Sequence, residues 1–195
     1  MARSQHATLF EVSENEGPEG FVYRTEFISA AEESELLSII QKLEFKAFRY
    51  HGFLANRRIV DYGWSYDFES MKLSPGKPIP DFLMPIRSRA AALVQLPGDA
   101  FSEALITEYQ TGSAIDWHRD VPQFDVVIGI SLLSPCTFRL RRKQGQKWER
   151  FNIVAEPRSV YVLSGPARSE WQHSIPPTKS LRYSITFRSR RNLKT

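Results

Sequence analysis

From about residue 105 onward the chain is cut into short β-rich runs by turn signals, and this texture restricts the fold more than any other feature. The runs fall at 105–109, 126–133, 137–142, 148–154, 159–163 and 183–188. Thr111-Gly112, Ser134-Pro135, Gln144-Gly145, Gly165-Pro166 and Pro176-Pro177 separate them. Glycine reaches backbone angles closed to other residues and proline cannot donate to a ladder, so these pairs end strands. Many short strands at this spacing indicate a sandwich or jelly roll. The expected fold is α+β, mainly β: a double-stranded β-helix over about 104–190 with N-terminal helices packed on its outside.

Two helices are expected before it. Ser29-Ala-Ala-Glu32 has the form of a capping box. Leu36, Leu37, Ile40 and Leu43 then recur at helical spacing, predicting an amphipathic helix over 29–43. A second helix is predicted over 81–96, with Phe82, Leu83, Ile86, Ala90, Leu93 and Val94 inward. Pro85 is tolerated there because it falls in the first turn. Residues 1–20 read as a polar arm and 21–195 as a single domain, since 195 residues give one real core.

No apolar run is long enough for a membrane span, and the first residues lack the apolar segment of a secretory signal. A single cysteine, Cys136, excludes an internal disulfide framework and suits a reducing cytoplasm, the expected location. Nothing calls for an obligate protein partner, so a monomer is expected. The net charge of +4 is uneven. Residues 1–20 carry Arg3 against Glu11, Glu14, Glu16 and Glu19, a balance of −3, which leaves +7 for the rest. Arg139, Arg141, Arg142, Lys143, Lys147 and Arg150 form one basic cluster; Arg188, Arg190, Arg191 and Lys194 form another. Either a polyanion binds there or the first is a solvated hairpin and the second a basic tail.

Histidine is scarce, at positions 6, 51, 118 and 173. On extended backbone His118 and Asp120 project to one face while Arg119 points away. His173, at the edge of a predicted strand, is the natural third ligand. Two imidazoles and a carboxylate leave three open positions on octahedral ferrous iron, enough for a bidentate co-substrate and dioxygen. Zinc accepts the same donors in a hydrolytic site. Arg182 and Arg188 stand six apart, on one face of a strand, and two buried guanidiniums each need an anion. A dicarboxylate chelating the iron would supply one; Glu108 or Asp116 would be the alternative.

These features together resemble the AlkB branch of the iron- and 2-oxoglutarate-dependent dioxygenases. The likeness covers about Leu105 to Arg188 and comprises Thr107-Glu-Tyr109-Gln-Thr-Gly112, His118-Arg-Asp120, Ile130-Ser131-Leu132, Leu163-Ser-Gly165-Pro-Ala-Arg168-Ser-Glu-Trp171-Gln-His173, and Arg182 to Arg188. It implies Fe(II) held by His118, Asp120 and His173, with 2-oxoglutarate and dioxygen as co-substrates. It further implies that Arg182 pairs with the distal carboxylate of 2-oxoglutarate and that Tyr109 hydrogen-bonds to the co-substrate. Arg188 would lie near the iron-proximal carboxylate. Thr107 and Ser184 stand where the family commonly has Asn, and Pro122 where some DNA-repairing relatives carry an acid.

The activity this implies is oxidative demethylation of N-alkylated nucleobases in DNA or RNA, with release of succinate, carbon dioxide and formaldehyde. The segment 48–68 corresponds to a nucleotide-recognition lid in that family. It holds Arg57-Arg58 ahead of alternating Tyr62, Trp64, Tyr66 and Phe68, the mix of a base-stacking platform with phosphate contacts. Arg57, Arg58, Tyr62 and Trp64 are the substrate candidates, and His51 has a ring to offer. The same stripe also suits a plain core face. Two other readings stand beside this one: an iron hydroxylase or demethylase of a protein or small molecule, and a β-sandwich binding module with structural His and Arg residues.

Overall fold

A strand shows alternate residues to opposite sides, so one ladder can serve two different interiors. The computed structural model describes residues 17–50, 53–67 and 70–191. It begins with β1 (Phe21–Arg24), α1 (Ala30–Ile40), β2 (Lys46–Tyr50), β3 (Phe53–Asp67) and β4 (Lys72–Pro75). A 3₁₀ turn (Asp81–Leu83) leads into α2 (Met84–Ala92), and a second (Gly98–Ala100) precedes β5 (Phe101–Tyr109). Then come β6 (Ile115–His118), β7 (Phe124–Leu132), β8 (Cys136–Gln144) and β9 (Lys147–Ala155). The chain closes with β10 (Val160–Leu163), α3 (Gly165–Ser169), β11 (Gln172–Ile175) and β12 (Arg182–Arg190).

The larger sheet has the order β1-β10-β7-β12-β5-β3-β2, with β4 added to β3; the smaller runs β6-β11-β8-β9. Every pairing is antiparallel. This is the jelly roll with helices outside it. All six strands expected in the C-terminal half form, as β5, β7, β8, β9, β10 and β12. Strands β1, β4, β6 and β11 have four residues each, too few for alternation to stand out from the sequence.

The two faces of the large sheet carry separate cores. On one face Ala104, Ile106, Ile128, Ile130, Val162, Ile185 and Phe187 pack with Leu36 and Ile40 of α1 and Ile86 and Ala90 of α2. On the other, Tyr109, Val127, Tyr161 and Leu163 meet Phe138, Leu140 and Ile175 of the small sheet, inside the roll. Each such side chain removed from water contributes about 1.5–3 kcal/mol. Gly129 is required within the roll, since a Cβ there would fall 2.2 Å from the Tyr161 ring.

The capping box forms: Ser29 Oγ accepts from Glu32 N at 3.2 Å, and Ser29 N donates to Glu32 Oε2 at 2.8 Å. Helix α2 is shorter than the predicted 81–96. Its first turn is 3₁₀, and Gln95 adopts φ 56°, which stops the helix. Leu96 N then bonds to Ala91 O at 3.2 Å and Gln95 N to Ala92 O at 3.2 Å, the paired bonds of a Schellman end. Among the described residues no helix is long and apolar enough to cross a membrane.

Candidate metal and co-substrate centre

The two imidazoles are brought together by backbone pairing. In the β6–β11 ladder His118 is the register partner of His173, and their ring centroids lie 4.2 Å apart. Residues opposite one another share a face. His173 is also paired with Leu140, whose side chain is in the core of the roll, so both rings point inward. The Nδ1 of His118 lies 2.8 Å from the carbonyl of Asp116. That contact calls for the Nδ1–H tautomer, which leaves Nε2 free as a ligand. Arg119 is exposed and donates to the carbonyl of Ser169 at 2.9 Å, turned away as its parity requires. The ligand atoms of His118, Asp120 and His173 all lie within 4.8 Å of one another.

The charges suit a cation. Asp120 Oδ1 accepts from Arg188 Nε at 2.8 Å, whereas buried Oδ2 has no hydrogen-bond partner and lies 3.6 Å from His173 Nε2. An orphaned buried carboxylate oxygen beside two imidazoles is a donor set suited to a divalent metal. Burial would raise the Asp120 carboxyl, but Arg188 and then the two imidazoles hold it well below the usual carboxylate range. His173 is pushed down to about 3 by burial first and by His118 second, so it is neutral with its lone pair available. Neutral nitrogens and an ionised carboxylate are the protonation states a metal requires. The residues present therefore fit Fe(II).

Two side chains, partly buried Arg188 and buried Arg168, fix this carboxylate and the turn that carries it. Arg188 Nη1 reaches Glu103 Oε2 at 2.9 Å, so Arg188 bridges Glu103 and Asp120. Burial pushes the Glu103 carboxyl up, against the opposing pull of Arg188. Arg168 Nη2 donates to the carbonyls of Asp120, Val121 and Phe124 at 3.1, 2.8 and 2.9 Å, clamping the turn that follows the ligand.

Next to the triad, register sets polar residues in rows across β7, β12 and β5. Arg182 pairs with Tyr109, Ser184 lies between Thr107 and Ser131, and Arg188 lies between Glu103 and Val127. Arg182 is 1% exposed. Its Nε and Nη2 share Ser131 Oγ at 3.3 and 3.2 Å, and its guanidinium lies 4.8 Å from the centroid of the Tyr109 ring. Its Nη1 has no partner, and no carboxylate among the described residues is in ion-pair reach. Thus the two arginines differ. Arg188 is neutralised by Asp120 and Glu103, not by Glu108 or Asp116, while Arg182 has no counter-ion and offers its unpartnered Nη1 to an anion.

A profile of the 2OG-Fe(II) oxygenase superfamily matches residues 20–188. The chain belongs to that superfamily. As such it is a dioxygenase that uses Fe(II), 2-oxoglutarate and dioxygen, and among its relatives are proteins named for the AlkB group. An Arabidopsis thaliana protein named "Alkylated DNA repair protein ALKBH8 homolog" is 27% identical over 209 residues, covering 89% of this chain and 59% of the relative. A Mus musculus "tRNA (carboxymethyluridine(34)-5-O)-methyltransferase ALKBH8" is 26% identical over 170 residues, covering 83% of this chain. The oxygenase matches only 25% of that mouse protein's length. Among solved structures, OsALKBH1 superposes with a TM-score of 0.68 at 16% identity, over 87% of this chain and 96% of the other.

The structure divides the four substrate candidates of the oxygenase. In the β3–β5 ladder Arg57 is opposite Tyr109, so it lies on the site's face. Its guanidinium stacks 4.2 Å from the Phe48 ring centroid, and Nη1 lies 3.4 Å from the carbonyl of Ala114. Arg58 is opposite Glu108 and bonds to that carboxylate at 2.7 Å, on the reverse face. Tyr62 is opposite Ala104 and packs against the core beneath the helices. Trp64 follows Gly63, a kink at φ 77°, and its ring is covered by Arg190 at 4.0 Å. The expected single platform of all four does not form, because adjacent arginines on a strand point to opposite sides. Pairing of β3 with β5 over residues 57–63 makes this segment an integral strand of the large sheet. His51 and Phe68 lie outside the described residues. Ser131, Glu103 and Arg168 were not foreseen as site residues; the parity shared by 103, 107 and 109 was the signal for Glu103.

Proposed function

We propose that this oxygenase removes N-methyl groups from alkylated nucleobases in DNA or RNA. Ferrous iron held by His118, Asp120 and His173, with 2-oxoglutarate bound beside it, supplies from dioxygen the oxidising power for hydroxylation and leaves succinate and carbon dioxide. The N-hydroxymethyl product breaks its C–N bond, the nitrogen takes the hydroxyl proton, and formaldehyde departs. The chain's own residues hold and orient. Arg182 receives the distal carboxylate of 2-oxoglutarate on its unpaired Nη1, with Tyr109 against its face and Thr107, Ser184 and Ser131 lining the same pocket. Arg188 keeps Asp120 ionised and in place, near the metal-proximal carboxylate.

The observation that carries the substrate class is the Arg57–Phe48 stack on the Tyr109 side of β3, a cation and ring suited to an extruded base. Relatives named for alkylated DNA repair and for tRNA modification support a nucleic acid. The test is formaldehyde release from methylated single-stranded DNA, methylated tRNA, methylated peptides and free small molecules, run in parallel. Release from at least one nucleic acid is expected. Turnover confined to peptides or small molecules, by protein that binds 2-oxoglutarate normally, would overturn the reading.

A further inference from the structure

The β8–β9 hairpin carries six cations (Arg139, Arg141, Arg142, Lys143, Lys147 and Arg150) against Glu149 alone, a balance of +5 where the whole chain has +4. Register shows which way they face. Leu140, paired with His173 and Phe151, points into the roll, so Arg139 and Arg141 lie on the outer side with Gln172 and Ser174. Trp117, one residue before the ligand His118, is on that side too, with Arg139 and Arg141 over its ring at 4.9 and 4.3 Å. Trp148, 40% exposed, meets the same Arg141 at 4.2 Å. Arg141 is thus held between two indoles, and its Nε is fixed by Gln172 Oε1 at 2.8 Å.

A cleft of about 380 Å³ opens here, its walls including Arg119, Arg141, Lys143, Trp148 and Gln172. Arg142 alone of the hairpin cations is satisfied, by Glu149 and Glu170. Among the described residues no carboxylate is in ion-pair reach of Arg119, Arg139, Arg141, Lys143, Lys147 or Arg150. Concentrating unpaired like charge on one face costs folding free energy, and a polyanion relieves it. Stacked indole and guanidinium beside free cations is the composition of a single-strand platform.

We propose that the outer face of the small sheet docks a single-stranded nucleic acid, with phosphates along Arg119, Arg141, Lys143 and Arg150 and a base stacked on Trp148. The choice of polyanion rests on the nucleic-acid reading of the active site; the residues are different ones. Arg119 belongs to the cleft while its neighbours His118 and Asp120 belong to the metal centre, so the platform adjoins the site through one strand. A strand held there keeps its methylated base near the site between encounters.

The test is fluorescence anisotropy of labelled, unmethylated single-stranded DNA and RNA across a salt series. The protein is compared with Lys143→Glu/Arg150→Glu, both exposed positions on the outer face, and separately with Trp148→Ala. The double variant should bind at least about tenfold more weakly, with the slope of log affinity against log salt reduced by about 1.4, at roughly 0.7 per lost contact. Trp148→Ala should lose the quenching of tryptophan emission by the strand and keep the slope. Unchanged affinity and slope in a double variant that melts as the parent does would overturn the platform. A polyglutamate peptide that binds as tightly as the oligonucleotides would overturn the choice of occupant. If methylated strands turn over while the variants bind normally, the platform fails and the proposed function stands. If strands bind at the platform but no nucleic acid is demethylated, the function fails and the platform stands.

Discussion

Arg182→Met separates holding a ligand from holding the fold, because the two roles predict effects of opposite sign. In the protein alone, Arg182 is buried with one shared hydroxyl acceptor at 3.3 and 3.2 Å and an unpartnered Nη1. A buried guanidinium without an anion is a net cost, and an apolar side chain of similar length in its place is neutral or stabilising by about 1–4 kcal/mol. Ser131 retains its bond to the Ala155 carbonyl at 3.3 Å. The ligand-free variant should therefore melt no lower than the parent, and up to several degrees higher at about 2–4 °C per kcal/mol for a chain of this size. Loss of a buried charged partner, in contrast, should weaken 2-oxoglutarate binding by about 2–5 kcal/mol, or roughly 30- to 5,000-fold. Anaerobic thermal unfolding with Mn(II) and increasing 2-oxoglutarate reads both. The parent gains about 2.7 kcal/mol at a hundred times its dissociation constant, while the variant gains no more than about 0.9 kcal/mol at that concentration. A variant that melts well below the parent yet keeps its 2-oxoglutarate response would refute the assignment and make Arg182 a structural residue.

Arg168→Met should weaken metal binding about 10- to 100-fold by releasing the turn carbonyls of Asp120, Val121 and Phe124, as Co(II) titration followed by absorption would show. Arg58→Met should leave oligonucleotide KM unchanged and reduce stability by about 1 kcal/mol, since this arginine is half exposed. Burial would raise the Glu108 carboxyl, but bonds from Gln110, Arg58 and Tyr183 hold it below its ordinary value near 4.5. Glu108 thus adds stability above that pH which is lost as pH falls through its lowered value, and the variant's acid unfolding should begin at higher pH. Gly129→Ala should destabilise the fold by about 1–3 kcal/mol in denaturant titration, because its Cβ would overlap the Tyr161 ring at 2.2 Å.

Long alternating runs made the jelly roll legible, and β5, β7 and β12 supply the rows of the co-substrate pocket. The i, i+2 spacing of His118 and Asp120 likewise told which way each would point. What pairs with what was less visible. That His118 meets His173 depends on the register of two four-residue strands, which no local pattern encodes. Adjacent Arg57 and Arg58 read alike as charges, yet one lies beside Tyr109 and the other ties down Glu108, because strand parity and neighbours 50 residues away decide. Arg168 gave no signal of its role, since its acceptors are backbone carbonyls, to which any sequence is equally open. The stop of α2 was obscured for a similar reason: a non-glycine residue, Gln95, takes the left-handed position just beyond its end.

The run Trp117-His118-Arg119-Asp120 is shared property. Even-numbered residues serve the interior of the roll and odd-numbered ones its exterior, with no spacer between the two tasks. Substitutions at 117 or 119 can therefore retune the outside while the ligand set stays intact. Insertion or deletion of one residue before His118 would exchange the tasks, turning an indole and a guanidinium toward the metal and both ligands toward solvent. Length in this stretch should thus be held fixed in any lineage that keeps the chemistry, even where the outward residues drift freely.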